Sequence, residues 1–282
     1  MLIILLKIAA FLFLLVLLIA VTVWMLGRRQ PSQALLKHDS LILIALKKSD
    51  PTPVSLSDED GLNLVWRGRA AFPFIASENE NWDEFLLLSP DSSFIQQLKE
   101  TNQFDDVFAV KLKLIRVPAF ALGLLRLRYL SGISRMKETP MLEVLNPELA
   151  LRPGILPSTA ALTAAMSARS DMAITMMNFL QYKADAHGNR EKGRKIYNRY
   201  GMEAMKAVHQ VGGQFLFSGQ ITQVLIPSRS QASPNDWDDL AAMIYPNPTA
   251  IFLMEQNEAY RKALHLRDQS LERTVVIATE AG

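Results

Sequence analysis

The residues in this chain that could do chemistry are few, and their spacing organises little. Its four histidines, His38, His187, His209 and His265, show no H-x-H, H-x3-H or H-E-x-x-H pattern. Metal ligands must converge from one helix face or turn, so the spacing implies no metal centre. There is no cysteine, which removes thiolate catalysis, disulfides and Cys-ligated zinc together. No G-x-S-x-G, no Ser/His/Asp grouping in recognisable context and no paired-carboxylate signature is present. Gly188 to Lys195, GNREKGRK, has the outline of a G-x4-G-K-[ST] phosphate loop, but Arg194 stands at the lysine position. Neither Lys195 nor Ile196 offers magnesium a hydroxyl, so no nucleotide and no other cofactor is implied.

Three groups of candidates remain. His265 has the pKa for general acid–base work and lies near Tyr260 and Arg267, late in the last expected helix; the plainer reading is an exposed helical histidine. Asn178 interrupts the apolar strand MMNFLQYK, and a polar side chain pointing into a barrel needs a protein or ligand partner. Residues 190–206 carry six cations and two anions, a solvated face or a contact for anionic headgroups. Over the whole chain 30 basic residues nearly balance 28 acidic ones, which argues against a nucleic-acid partner.

One stretch sets the topology relative to a membrane. Residues 8–26, IAAFLFLLVLLIAVTVWML, are 19 consecutive uncharged residues, close to the roughly 20 needed to cross a bilayer core. A cleaved signal peptide fits less well, because the apolar run is long and no A-x-A-like site follows. Only Lys7 precedes the run, whereas Arg28, Arg29, Lys37, Lys47 and Lys48 follow it. The positive-inside rule then puts the anchor in a cell inner membrane with the C-terminal part in the cytoplasm.

The rest reads as strands and helices in two similar series. In the first, strands are expected at 40–46, 63–75, 84–88 and 107–117, with a helix from Ser92 or Ser93 to about 102. In the second, strands are expected at 172–183, 214–226, 240–245 and 274–279, with helices at 190–210 and from Pro248 to about 266. The long helix should bury Ile196, Tyr200, Ala204, Ala207, Val208 and Val211. Between the series, 117–130 should form a helix that covers the barrel halves in preference to lying at the membrane surface. Pro140, Pro147, Pro153 and Pro157 then punctuate a connector, followed by a short helix capped by Ser158.

The two series carry an internal repeat. Gly61 and Gly68 match Gly212 and Gly219, Ile75 matches Ile226, and Trp82-Asp83-Glu84 matches Trp237-Asp238-Asp239. Each tryptophan should cover one barrel end, followed by a solvated carboxylate at a strand start.

With its strand, the GREKGRKIYNRYG helix, GGQFLFSG, DWDDLAAMIYP and HLRDQSLERTVVIATE in order, the C-terminal half resembles the domain of unknown function 1330 family. That resemblance implies a ferredoxin-like, split βαβ unit of the kind that pairs its sheet with a second copy in a dimeric α+β barrel. It brings no established active site. Only PTPVSLSDED and its neighbours separate the first two strands of the N-terminal half, so its first helix is missing or vestigial.

The expected fold class is therefore α+β, with two ferredoxin-like halves pairing within one chain and one transmembrane helix before them. The expected divisions are an anchor at 1–28, a tether at 29–39, a degenerate half at 40–117, a helical connector at 118–170 and a complete half at 171–282. The soluble part should be monomeric. The leading expectation is a small hydrophobic ligand held inside the barrel by Met176, Asn178, Phe215, Phe217 and Tyr245, with His265 and Arg267 at its mouth. The alternatives are a cofactor-free oxygenase or isomerase acting on a lipophilic substrate, by analogy with related barrels, and a structural or assembly role.

Overall fold

The computed structural model describes residues 2–48, 63–76, 80–100, 103–136, 155, 157–167, 171–230, 235–254 and 256–281. Gly61, the PTPVSLSDED segment and Pro140, Pro147 and Pro153 lie outside the described residues. The element order is α1 (Leu2–Arg28), α2 (Pro31–Leu35), β1 (Ser40–Lys48), β2 (Leu64–Ile75), β3 (Glu84–Leu88), α3 (Phe94–Glu100), β4 (Phe104–Leu114), α4 (Ala119–Leu130) and α5 (Thr159–Ser167). It continues with β5 (Ile174–Tyr182), α6 (Glu191–Gln210), β6 (Gln214–Ile226), β7 (Asp239–Tyr245), α7 (Ala250–Met254), α8 (Glu258–Ser270) and β8 (Leu271–Ala281).

The eight strands close into an antiparallel barrel in the order β1-β3-β2-β8-β5-β7-β6-β4. Within each half the order is the same, β4-β1-β3-β2 in the first and β8-β5-β7-β6 in the second. The halves meet at two seams, β2 with β8 and β4 with β6. Each sheet thereby gives its open edges to the other, so no edge strand is left as a template for another chain.

The barrel interior is filled. Alternate residues of the strands, including Leu43, Phe85, Phe108, Val110, Met177, Phe179, Leu240 and Ile277, form one core with Trp82 and Trp237. Phe179 stacks at 6.1 Å from Phe85, 6.3 Å from Phe108 and 5.7 Å from Trp237. The opposite set of side chains faces outward and is buried too, because helices cover it. The helix α3 places Phe94 and Leu98 over Ile42, Ile44 and Leu86. On the second half, α6 and α8 place Tyr200, Val208, Tyr260 and Ala263 over Ile174, Met176, Tyr245 and Val276.

Several boundaries differ from those expected. The segment after Pro248 is two helices, because the Asn257 side chain accepts the Tyr260 amide at 3.0 Å and starts α8 anew. The buried stripe of α6 passes through Gly193, Tyr200, Ala207 and Val208, with Tyr197 rather than Ile196 packed beside it. The tether holds a short helix, α2, whose Leu35 joins the barrel core.

The helix α1 is long and apolar enough to cross a membrane. Its N-terminal part is exposed, whereas Val23 is buried near the other end. There α4 crosses it at close range: a methyl group at Gly27 would overlap the Ala119 carbonyl, and one at Gly123 would overlap the Val23 carbonyl. Glycine at both points lets the backbones touch, a small-residue crossing. The expectation that α4 covers the barrel is corrected accordingly. Its buried residues are Leu122 and Gly123, the latter against α1, and its Tyr129 meets Gly212 just past the end of α6, while Phe120, Leu124 and Leu130 are exposed.

Candidate functional site

Between the outer face of the second sheet and its covering helices lies a cavity of about 310 Å³. Its floor is the outward-facing set of strand residues, Met176 and Asn178 of β5, Ala241, Met243 and Tyr245 of β7, and Val276 of β8. Phe74 and Phe215 flank them from the neighbouring strands. Its roof is α6, through Tyr197, Tyr200, Gly201, Ala204, Met205 and Val208, with Met254 of α7 and Tyr260 and Arg267 of α8. The floor follows from the two-residue period of a strand: Met177 and Phe179 occupy the barrel interior, so Met176 and Asn178 must face the helices. The cavity opens beside Ile115, Asn198 and Met202, the first and last being largely exposed.

Two local features complete the wall. A register shift between Phe215 and Phe217 inserts an extra residue, so that Phe215 faces the cavity while Leu216 and Phe217 both enter the barrel core. Gly201 leaves open space where a side chain would begin, and this widens the roof.

Arg267 is the sole charged residue among the described residues lining the cavity, and it is 8% exposed. Its guanidinium lies 5.8 Å over the Tyr200 ring. Burial opposes the charge, but the oxygens of Tyr200, Tyr197 and Tyr260 favour it, and the balance holds its pKa above the ordinary arginine value. Burial pushes the Tyr197 and Tyr245 hydroxyls up, so both are protonated at neutral pH. Tyr200 and Tyr260 touch through their hydroxyl oxygens at 3.3 Å. The cavity thus presents phenolic hydroxyls, one fixed cation and the side chains of Asn178, Asn198 and Ser218 in a mostly apolar wall.

The candidates read from the sequence separate here. Asn178, Phe215, Tyr245 and Arg267 line this one cavity. The expectation that Met176, Asn178, Phe215 and Tyr245 face the barrel interior, with Arg267 at its mouth, is corrected: their cavity lies outside the barrel wall, and Arg267 is buried in it. Phe217 belongs to the interior. The amide nitrogen of Asn178 donates to the Met176 and Ala241 carbonyls at 2.9 and 3.2 Å, so its donors serve the sheet. His265 is exposed on α8, away from the cavity, with Nδ1 against the Lys262 carbonyl. On α6, Tyr200, Ala204 and Val208 belong to the face expected to be buried, as core and not as site, whereas Tyr197, Gly201 and Met205 were missed; the signal for them was their place beside that face at helical spacing.

The basic opening of α6 is largely tied down. Arg190 bonds Asp236 at 2.8 Å and lies 3.5 Å from Asp238, and Arg194 reaches Asp239 at 3.1 Å. Asp239 and Glu84 are buried and paired, not solvated as expected, because cations cover them: Arg194 on Asp239, Lys48 and Arg67 on Glu84. Among the described residues no group of three or more His, Asp or Glu side chains is placed to hold a metal ion.

No family model matches the chain, and no curated protein matches it. Solved structures do. A protein of unknown function from Rhodopseudomonas palustris matches at 22% identity, covering 45% of this chain and 96% of its own, with a TM-score of 0.38. A proposed monooxygenase from Lactobacillus acidophilus matches at 9% identity over 85% of this chain and 92% of its own, with a TM-score of 0.38. Another from Fusobacterium nucleatum matches at 9% identity over 86% and 93%, with a TM-score of 0.40.

Proposed function

We propose that the chain is a single-pass protein of the cell inner membrane whose barrel domain binds a small hydrophobic molecule between the second sheet and its covering helices. The observation that carries this reading is the cavity: about 310 Å³, walled by methionine, aromatic and aliphatic side chains around a few polar groups. Pockets for small molecules start at about 300 Å³ and share that pattern of apolar lining with sparse polar groups. A core region meant only to be filled is packed closely, and the side chains of the barrel interior, such as Leu43, Phe85 and Phe179, are fully buried.

The membrane anchor is supported by the crossing at Gly27 and Gly123. A signal peptide is removed from the mature protein, whereas the C-terminal end of α1 is a packing partner of α4. Phe120, Leu124 and Leu130 leave α4 with an exposed apolar side next to the anchor, suited to the headgroup boundary. Ile115 and Val117, at the cavity mouth, lead directly into that helix. A lipophilic ligand would enter from the bilayer surface, on the cytoplasmic side if Arg28, Arg29 and Lys37 follow the positive-inside rule.

The divisions at 1–28, 29–39, 40–117, 118–170 and 171–282 fit this reading, with the two barrel halves descended from one duplicated unit and the second grouped with the domain of unknown function 1330 family. The soluble part is monomeric, since each half closes the other's sheet.

Native mass spectrometry of the detergent-extracted full-length protein tests the ligand. A stoichiometric small molecule released on denaturation supports it. An empty cavity, together with no binding of any lipophilic probe, overturns it.

A further inference from the structure

The cavity holds a cation with no acidic partner among the described residues. Arg267 is more than nine-tenths buried, yet its Nε and Nη2 make no hydrogen bond. No described carboxylate pairs with it, whereas Arg190, Arg194 and Arg273 all have acidic partners. Arginine cannot escape burial by losing its proton, and a buried charge left alone is strongly unfavourable. A guanidinium is the side chain best suited to pair with a carboxylate, and Arg267 lines the cavity.

We propose that the ligand is a lipophilic carboxylic acid, bound as its carboxylate by the Arg267 guanidinium, with its apolar part against Met176, Phe215 and Met243. The inference rests on the hydrophobic-ligand reading above and adds the head group to it. The charge balance selects the class. One cation in an apolar wall neutralises one negative charge, whereas a phosphate dianion would leave a second charge buried and unpaired. A neutral alcohol or ester would leave the guanidinium as it is.

The test uses the full-length protein in a non-ionic detergent, with decanoic acid and decan-1-ol as probes at pH 8. Wild type should bind decanoate roughly tenfold or more tightly than the alcohol, the scale of a charge-assisted pair in a desolvated site. Arg267→Met should lose the preference for the acid over the alcohol. Without ligand it should melt no lower than wild type, because an unpaired buried charge has been removed. Arg267→Lys keeps the charge without the planar guanidinium, and should keep only part of the preference. Equal binding of acid and alcohol by wild type, or a preference that survives in both variants, overturns the carboxylate assignment and leaves the cavity reading standing. Binding of neither probe by wild type overturns both.

Discussion

Asp83 and Asp238 make the same three backbone contacts in opposite halves of the barrel. The Asp83 amide donates to the Leu46 carbonyl at 2.8 Å and its carbonyl accepts from Ala70 at 2.9 Å, while its carboxylate accepts the Lys48 amide at 2.7 Å. The Asp238 amide donates to Leu180 at 2.9 Å, its carbonyl accepts from Ile221 at 2.9 Å, and its carboxylate accepts the Tyr182 amide at 2.8 Å. Each aspartate ties the end of one strand to the start of the next-but-one. Asp83→Ala and Asp238→Ala should each cost about 1 kcal/mol, the worth of one such hydrogen bond. They should add in the double variant, since they share no partner. Denaturant midpoints of the two single variants and the double check this; a null effect at Asp83 would remove the equivalence.

Gly123→Val should undo the crossing of α4 on α1, because its side chain would meet the Val23 backbone. Backbone cannot move aside as a flexible side chain can. Trypsin should then cut faster at Arg126 and Arg128 of the detergent-solubilised protein. Unchanged cutting would mean that α4 holds its place without α1. Gly201→Ala, in open space on α6, is the opposite case and should stabilise by about 0.5–1 kcal/mol through helix propensity.

His209 is 2% exposed, with Nδ1 2.9 Å from the Met205 carbonyl and Nε2 unpartnered. Burial holds its pKa below the ordinary histidine value, and the Arg126 charge adds to the effect. A lowered folded pKa means that the unfolded chain binds the proton first. Stability is therefore full above about pH 6.5 and falls as pH drops below it, by at most about 1.4 kcal/mol per pH unit. His209→Leu should flatten the melting temperature between pH 7.5 and 5.5, relative to wild type at each pH. An equal slope in the variant would show that other groups carry the acid sensitivity.

Phe179→Ala should cost about 3–5 kcal/mol, because a packed barrel interior cannot close over the loss. Met243→Ala, which only enlarges an existing void, should cost about 1 kcal/mol. Comparable losses at the two sites would mean that the cavity wall is as tightly packed as the interior.

The sequence by itself determined the elements that depend on short-range pattern. The uncharged run at 8–26, the alternation in β4, the apolar run of β5 and the Trp-Asp-acid corners at 82–84 and 237–239 were legible because each is set by neighbours along the chain. So was the order of elements from which two paired halves follow. Which face of β5 looks inward was not legible. Both faces are apolar and both are buried, so the period of two separates Met176 and Asn178 from Met177 and Phe179 without saying which pair meets the helices. Tertiary structure decided that by closing the barrel around Phe179 and laying α6 over Met176. It also decided the contact between Gly27 and Gly123, distant in the chain, and the burial of Arg267 among tyrosines with no acidic partner among the described residues. A missing counter-ion is a property of everything packed around a charge, and no local pattern records it.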